Sequence, residues 1–233
     1  MSVPSEPELL EALLRRRFSC RAFRPEPVPR PVIERILDMA QRTASWTNSQ
    51  PWQVELLGGA ALERFRAALH AHAASGATPT PDIPFPREYR GVYRDRRRET
   101  GFGLYAALGI ARDDQAARAR QALENYRFFG APHLALVTTD EALGTYGAID
   151  CGGYVSTFML TAEALGVASI AQAAIAGHAG FVRAQLGLPA DRQLVCGIAF
   201  GFADPAHPAN AFRTGRAGLD QAVTWHEDQS GSP

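Results

Sequence analysis

The stretch from Thr145 to Leu165 is apolar on nearly every side of a helical wheel. A helix without a polar face has to be surrounded, so the rest of the chain is expected to pack around it as a central, mostly buried helix. The run from Gly147 to Gly166, the longest apolar stretch, carries Asp150 and Glu163 and lacks the charge-free length of a membrane span. Its natural neighbours are short apolar segments of strand length: Gln53 to Leu57, Leu134 to Thr139, Ser169 to Ala173 and Leu194 to Phe202. A further strand is expected at Ala222 to His226, where Val223, Thr224 and Trp225 favour extended backbone.

Helical periodicity fills the intervals. Glu8 to Phe18 gathers Leu9, Leu10, Leu13 and Leu14 on one face, and Pro31 to Ala44 repeats the pattern with Ile33, Ile36, Leu37 and Ala40. Pro31 suits a first helical turn. Ala61 to Ala73 turns Leu62, Phe65 and Leu69 inward, and His178 to Leu186 links two strands. Prolines at 79, 81, 84 and 86 exclude regular structure from Ser75 to Pro86. That loop opens an insertion, about 75–128, holding two further helical stretches divided near Asp113 and Asp114, where a carboxylate can cap the second. The whole chain, 1–233, reads as one domain with an arm at 203–233.

Charge narrows the function. Formal net charge is zero over 233 residues, so no global field recruits nucleic acid or a membrane surface, and any anion site is local. All 24 basic Lys/Arg residues are arginine. Schiff-base chemistry and a phosphate-binding lysine are thereby excluded. Cys20, Cys151 and Cys196 are odd in number and widely spaced, which argues against a disulfide framework or zinc ribbon and for a reducing cytoplasm. No metal site is expected, His70 and His72 lying on different helix faces.

Two early segments concentrate the chemistry. In Arg17-Phe18-Ser19-Cys20-Arg21-Ala22-Phe23, residues 17, 19 and 21 alternate, so an extended backbone aims two guanidiniums and a hydroxyl one way, as an anion clasp requires. Arginines at a helix end also answer the macrodipole without further role, which suffices for Arg15 and Arg16. The second segment, Ala44-Ser45-Trp46-Thr47-Asn48-Ser49-Gln50-Pro51-Trp52, is a polar loop closed by Pro and Trp.

Together these segments resemble the FMN-dependent nitroreductase family, with its R-x-S-x-R-x-F and S-x-x-N-x-Q-P-W motifs. The resemblance implies an α+β fold, a three-layer sandwich with a mainly antiparallel sheet flanked by helices. It implies a homodimer with FMN at the interface, NAD(P)H as donor, and a small electron-poor acceptor such as a nitroaromatic or quinone, without nucleic acid or membrane partners. By the same resemblance Arg17, Ser19 and Arg21 bind the FMN phosphate and flavin edge, and Arg213 and Arg216 close over the phosphate. Phe18 stands where relatives carry arginine or a small polar residue. Ser45 and Asn48 reach the partner's flavin, while Trp46 either lines the acceptor pocket or packs at the interface. Arg127, with Asn125, lies where relatives contact the flavin edge, or is helix surface. Ala171, Gln172 and Ala173 replace the family's Pro-x-Glu-Gly and are expected to offer backbone contacts, with Gln172 a side-chain candidate. The flavin carries the redox chemistry, so no protein acid or base is named. Dehalogenation, flavin fragmentation, ring dehydrogenation and flavin binding without turnover remain alternatives on this scaffold.

Other patterns carry less. Gly101-Phe102-Gly103-Leu104-Tyr105-Ala106 matches a dinucleotide glycine motif but follows arginines instead of an apolar strand. The arginines of Arg94 to Arg98 read as a solvated face. Cys151 beside Asp150, with His178, is a weak imitation of a hydrolase triad, since a thiol on an apolar helix is normally inert.

Overall fold

The computed structural model describes residues 4–226. Four strands, β1 (Gln53–Gly58), β2 (His133–Asp140), β3 (Ala168–Gln172) and β4 (Arg192–Gly201), form one antiparallel sheet in the order β1-β2-β4-β3. Period-two alternation builds the layers. Leu134 and Leu136 of β2 enter one apolar core, and Ala135 and Val137 enter the other. The first core is closed by α3 (Gly59–Ala74), α7 (Ala173–Ala176) and α8 (Ala179–Leu186), with Leu62, Phe65, Leu69, Ile175 and Val182 buried. The second is closed by α2 (Arg30–Ala40) and α6 (Gly144–Ala164), through Ile33, Ile36, Tyr154 and Phe158. Helix, sheet and helix make the three-layer sandwich.

The first helix, α1 (Glu6–Arg16), starts at a Ser5 capping box completed by Glu8. It buries none of its residues, and Leu9, Leu10 and Leu14 are all about half exposed. In the insertion, α4 (Gly91–Ala107) follows the proline-rich loop, and the Asp114 side chain caps α5 (Gln115–Leu123) by accepting from the Ala117 N–H at 2.8 Å. Two sequence expectations need correction. Helix α6 is buried on one side only: Cys151, Tyr154 and Phe158 face the sheet, while Tyr146 and Ile149 are 57% and 59% exposed. Residues 222–226 form no strand: they follow a short 3-10 turn, Leu219–Gln221, and pair with none of the four strands, and strand propensity alone makes no ladder. Residues 227–233 of the expected arm lie outside the described residues.

The sheet also fixes the segment after α1. Ser19 bridges Ser169 in parallel, with the Cys20 N–H donating to the Ser169 carbonyl at 3.1 Å. Phe23 bridges Ala203, and the Arg24 N–H donates to the Phe202 carbonyl at 2.8 Å. Residues 19–24 thus run beside β3 and the end of β4, held extended by main-chain bonds.

Close packing between β4 and α7 exposes the fold to a simple test. A β-carbon on Gly197 would meet Ile175 Cδ1 at 2.6 Å and Leu134 Cδ1 at 3.2 Å. Gly197→Ala should therefore destabilise the protein by about 1–3 kcal/mol through overpacking. Urea unfolding should show a lower midpoint at unchanged slope, and an unchanged midpoint would mean that α7 yields freely.

Candidate functional site

The extended 17–21 segment does what its spacing implies: Arg17, Ser19 and Arg21 line one cleft of about 1090 Å³. Its far wall comes from the other end of the chain, where Arg213, Thr214 and Arg216 follow the 3-10 turn Pro208–Asn210. Thr100 of α4, Ser156 and Thr157 of α6, and Glu11 and Arg15 of α1, which pair with each other at 2.6 Å, complete the polar lining, and Leu14 and Leu160 add apolar surface.

Electrostatics marks this cleft. None of Arg17, Arg21, Arg213 and Arg216 has a carboxylate within ion-pair distance among the described residues. Their hydrogen bonds go to neutral oxygens instead. Arg21 donates to the Ser19 carbonyl at 3.2 Å, Arg213 to the Asn210 carbonyl at 2.6 Å, and Arg216 to the Gly215 carbonyl at 2.8 Å. Burial first, and then the neighbouring Arg216, depress the pKa of Arg17, while Glu163 opposes them; burial also depresses Arg21. Crowded cations that disfavour their own charge provide a field for an anion, and a phosphate can accept from several of them at once.

Phe18 takes a role that its polar counterparts could not. Its ring lies under Arg213, with the guanidinium carbon 3.8 Å from the centroid, so it holds a cation by its face. Asn210 escaped the sequence reading altogether. It is buried at 6% exposure, and its carboxamide oxygen accepts the Arg21 main-chain N–H at 2.8 Å. An asparagine after Pro-Ala carries no recognisable signal in one sequence, since its partner lies 189 positions away.

The remaining candidates lie elsewhere on the chain's surface. Ser45, Trp46 and Asn48 occupy a loop against the start of α6, and none lines the arginine cleft. The Ser45 hydroxyl accepts the Gln50 N–H at 2.9 Å, and Asp150 accepts the Trp46 N–H at 3.1 Å. Thr47, Asn48 and Gln50 have φ of 51°, 58° and 48°, a left-handed backbone that costs free energy in residues with a β-carbon. Trp46 is 61% exposed and pairs with Tyr146 at 4.7 Å between ring centroids. Ala171 and Ala173 are exposed around buried Gln172, whose amide donates to the Asn125 carbonyl at 2.8 Å. Arg127 is exposed, 3.5 Å from Glu124, and is not part of the cleft wall.

With this geometry in view, comparison with known proteins is decisive. The sequence pattern of the Nitroreductase family matches residues 14–202. The chain belongs to the nitroreductase family. Nitroreductase NfnB of Mycolicibacterium smegmatis is 40% identical over 234 residues, covering 96% of this chain and 98% of that protein. A 4-nitrobenzoate reductase of Pseudomonas putida is 33% identical, over 88% of this chain and 90% of that protein. The crystal structure of the FMN-dependent nitroreductase NfnB from Mycobacterium smegmatis, in complex with NADPH, superposes with a TM-score of 0.91 at 38% identity, covering 96% of this chain and 100% of that one. The FMN and NADPH-dependent NfnB from a Sphingopyxis strain (HMH) gives 0.90 at 37% identity, covering 94% and 99%.

Burial keeps the thiols of this chain in their neutral form. All three cysteines are free and buried, with pKa values pushed up to about 11 for Cys20 and Cys151 and about 12 for Cys196. A raised acid pKa leaves the neutral thiol dominant, so at pH 8 roughly one Cys20 in a thousand is thiolate, rising tenfold per pH unit. Iodoacetamide at pH 8 should leave the folded protein unlabelled for hours and label all three positions in guanidinium. Rapid labelling of one native cysteine would contradict this burial.

Proposed function

We propose that the arginine cleft holds the phosphate of FMN and that the chain is an FMN-dependent NADPH oxidoreductase acting on nitroaromatic compounds. The observation that carries this reading is the convergence of Arg17, Arg21, Arg213 and Arg216, without carboxylate partners, on one large cleft. A dianionic phosphate fits that donor set, and the Ser19 and Thr214 hydroxyls offer further donors. FMN held by these arginines would supply the two-electron chemistry between NADPH and a nitroaromatic acceptor, the two substrates using the site in turn. The protein binds, orients and shields. Exposed Ala171 and Ala173 leave main-chain groups available to a flavin ring, and Gln172 holds that strand end against Asn125. Arg127 is assigned a place at the edge of this region.

The same reading makes the chain one nitroreductase-like domain that functions as a homodimer. Support comes from the stripe of α6 left open by Tyr146, Ile149, Gly152, Gly153 and Ser156, adjoining the exposed Trp46 loop. A second copy covering this face brings Ser45 and Asn48 to the partner's flavin, with Trp46 and Tyr146 as aromatic walls for the acceptor. Three free thiols agree with a cytoplasmic location. Among the described residues no helix is long and apolar enough to cross a membrane.

Purified protein should be yellow, bleach with NADPH under anaerobic conditions, and recover its colour on adding a nitroarene. Arg17→Ala or Arg216→Ala should fold yet lose most of its flavin, because each removes a charge-assisted phosphate contact. Full flavin occupancy in either variant would remove that residue from the phosphate site.

Assembly has its own measurement. Light scattering should report twice the mass of 25.2 kDa at low micromolar concentration. A monomer retaining flavin and turnover would exclude a shared site.

A further inference from the structure

Asn210 is bonded into both ends of the chain. Its carboxamide oxygen accepts the Arg21 N–H at 2.8 Å, and its nitrogen donates to the Ala22 and Asp204 carbonyls, each at 2.8 Å. Its own carbonyl accepts from the Arg213 guanidinium at 2.6 Å. Two acceptors around the nitrogen and one donor at the oxygen leave a single orientation for the amide. Aspartate could not donate to either carbonyl, and leucine could make none of these bonds. The side chain is buried, so each bond broken here leaves a polar group without water.

The two arginines beside Asn210 come from different parts of the chain. Arg21 lies on the segment bridged to β3, and Arg213 begins the exposed stretch that carries Arg216. Among the described residues Arg213 has two other supports, the Phe18 ring at 3.8 Å and the Phe212 carbonyl at 3.0 Å. The exposed 213–216 stretch therefore has little packing of its own to set its distance from Arg17. Arg17 and Arg216, one on each segment, repel each other, and the buried amide that joins the segments opposes that push.

We infer that Asn210 is a positioning residue for the phosphate end of the site, locking the 17–21 and 213–216 segments so that their arginines face one anion. This rests on reading the cleft as the FMN phosphate site. Asn210 does not touch the ligand in this assignment; it sets the separation of the groups that do. Its effect should then be confined to the phosphate.

Riboflavin, which has the same ring and ribityl chain without the phosphate, separates that role from plain stability. Dissociation constants for FMN and riboflavin would be measured by fluorescence quenching on the full chain freed of flavin. Wild type should prefer FMN strongly, and Asn210→Ala should cut that preference about tenfold or more, with riboflavin affinity changed less than twofold. Asn210→Ser keeps an oxygen for the Arg21 N–H and should fall between them; it also serves if the alanine variant does not fold. Equal weakening of both flavins would overturn the inference in favour of a structural role, as would an undiminished preference for FMN. Absence of any FMN preference in wild type would instead remove the phosphate reading, and the inference with it.

Discussion

Four arginines gathered on one cleft without ion-pair partners among the described residues set the demands on this structure. Burial depresses the pKa of Arg17 and Arg21, and Arg216 adds to the shift of Arg17. The fold meets these demands with main-chain geometry. Bridges from Ser19 to Ser169 and from Phe23 to Ala203 tie the N-terminal arginines to the sheet, and the Asn210 amide ties the C-terminal ones to them. Such an arrangement is costly in the absence of an anion and favourable in its presence, so binding is coupled to the integrity of this corner.

The three layers supply the rigidity that this needs. A four-stranded sheet with apolar residues on both faces cannot shift register without moving every side chain to the wrong core. Because β3 is an edge strand, its free side is available for the 19–24 segment to run along. The same strand carries Ala171 and ends at Gln172, directly before Ala173, so one element places both the phosphate clasp and the flavin-facing main chain proposed here. Their separation is thereby set by strand geometry instead of by a loop.

What could be read from residues alone follows a physical division. Alternation at 17, 19 and 21 is a local property of an extended chain, and the cleft preserves it. The helices and central strands were legible because periodicity reports which face needs burial. It does not report what covers that face, which is why the leucines of α1 and the outer stripe of α6 stand open here. Val223, Thr224 and Trp225 have the propensity for a strand, but propensity without a pairing partner forms none. Phe128 and Phe129, at φ of 55° and 52°, defy any local rule. Their left-handed turn is held by Arg66, which donates to the Arg127 and Ala131 carbonyls at 2.7 and 2.6 Å and lies over the Phe128 ring.

That last feature shows how strain is distributed. Among the described residues, left-handed residues with side chains occur in two places, at Thr47, Asn48 and Gln50 and at Phe128-Phe129, and neither is in the arginine cleft. Each such residue costs on the order of 1 kcal/mol or more and persists only where its surroundings over-determine it. For the phenylalanines the surroundings are visible: a buried core and the Arg66 guanidinium. For the Trp46 loop they are local and solvent-exposed: Asp150 and Ser45 accept main-chain N–H groups, Gln41 donates to Gln50, Gln50 donates to Asn48, and Tyr146 packs on Trp46. A strained loop held by solvent-exposed contacts is more stable when a second surface packs against it. The open stripe of α6 beside it presents the complementary deficit, apolar residues without cover. Covering both together in one homodimer interface would relieve the two deficits at once, and it would put the loop's polar residues where the proposed shared site requires them.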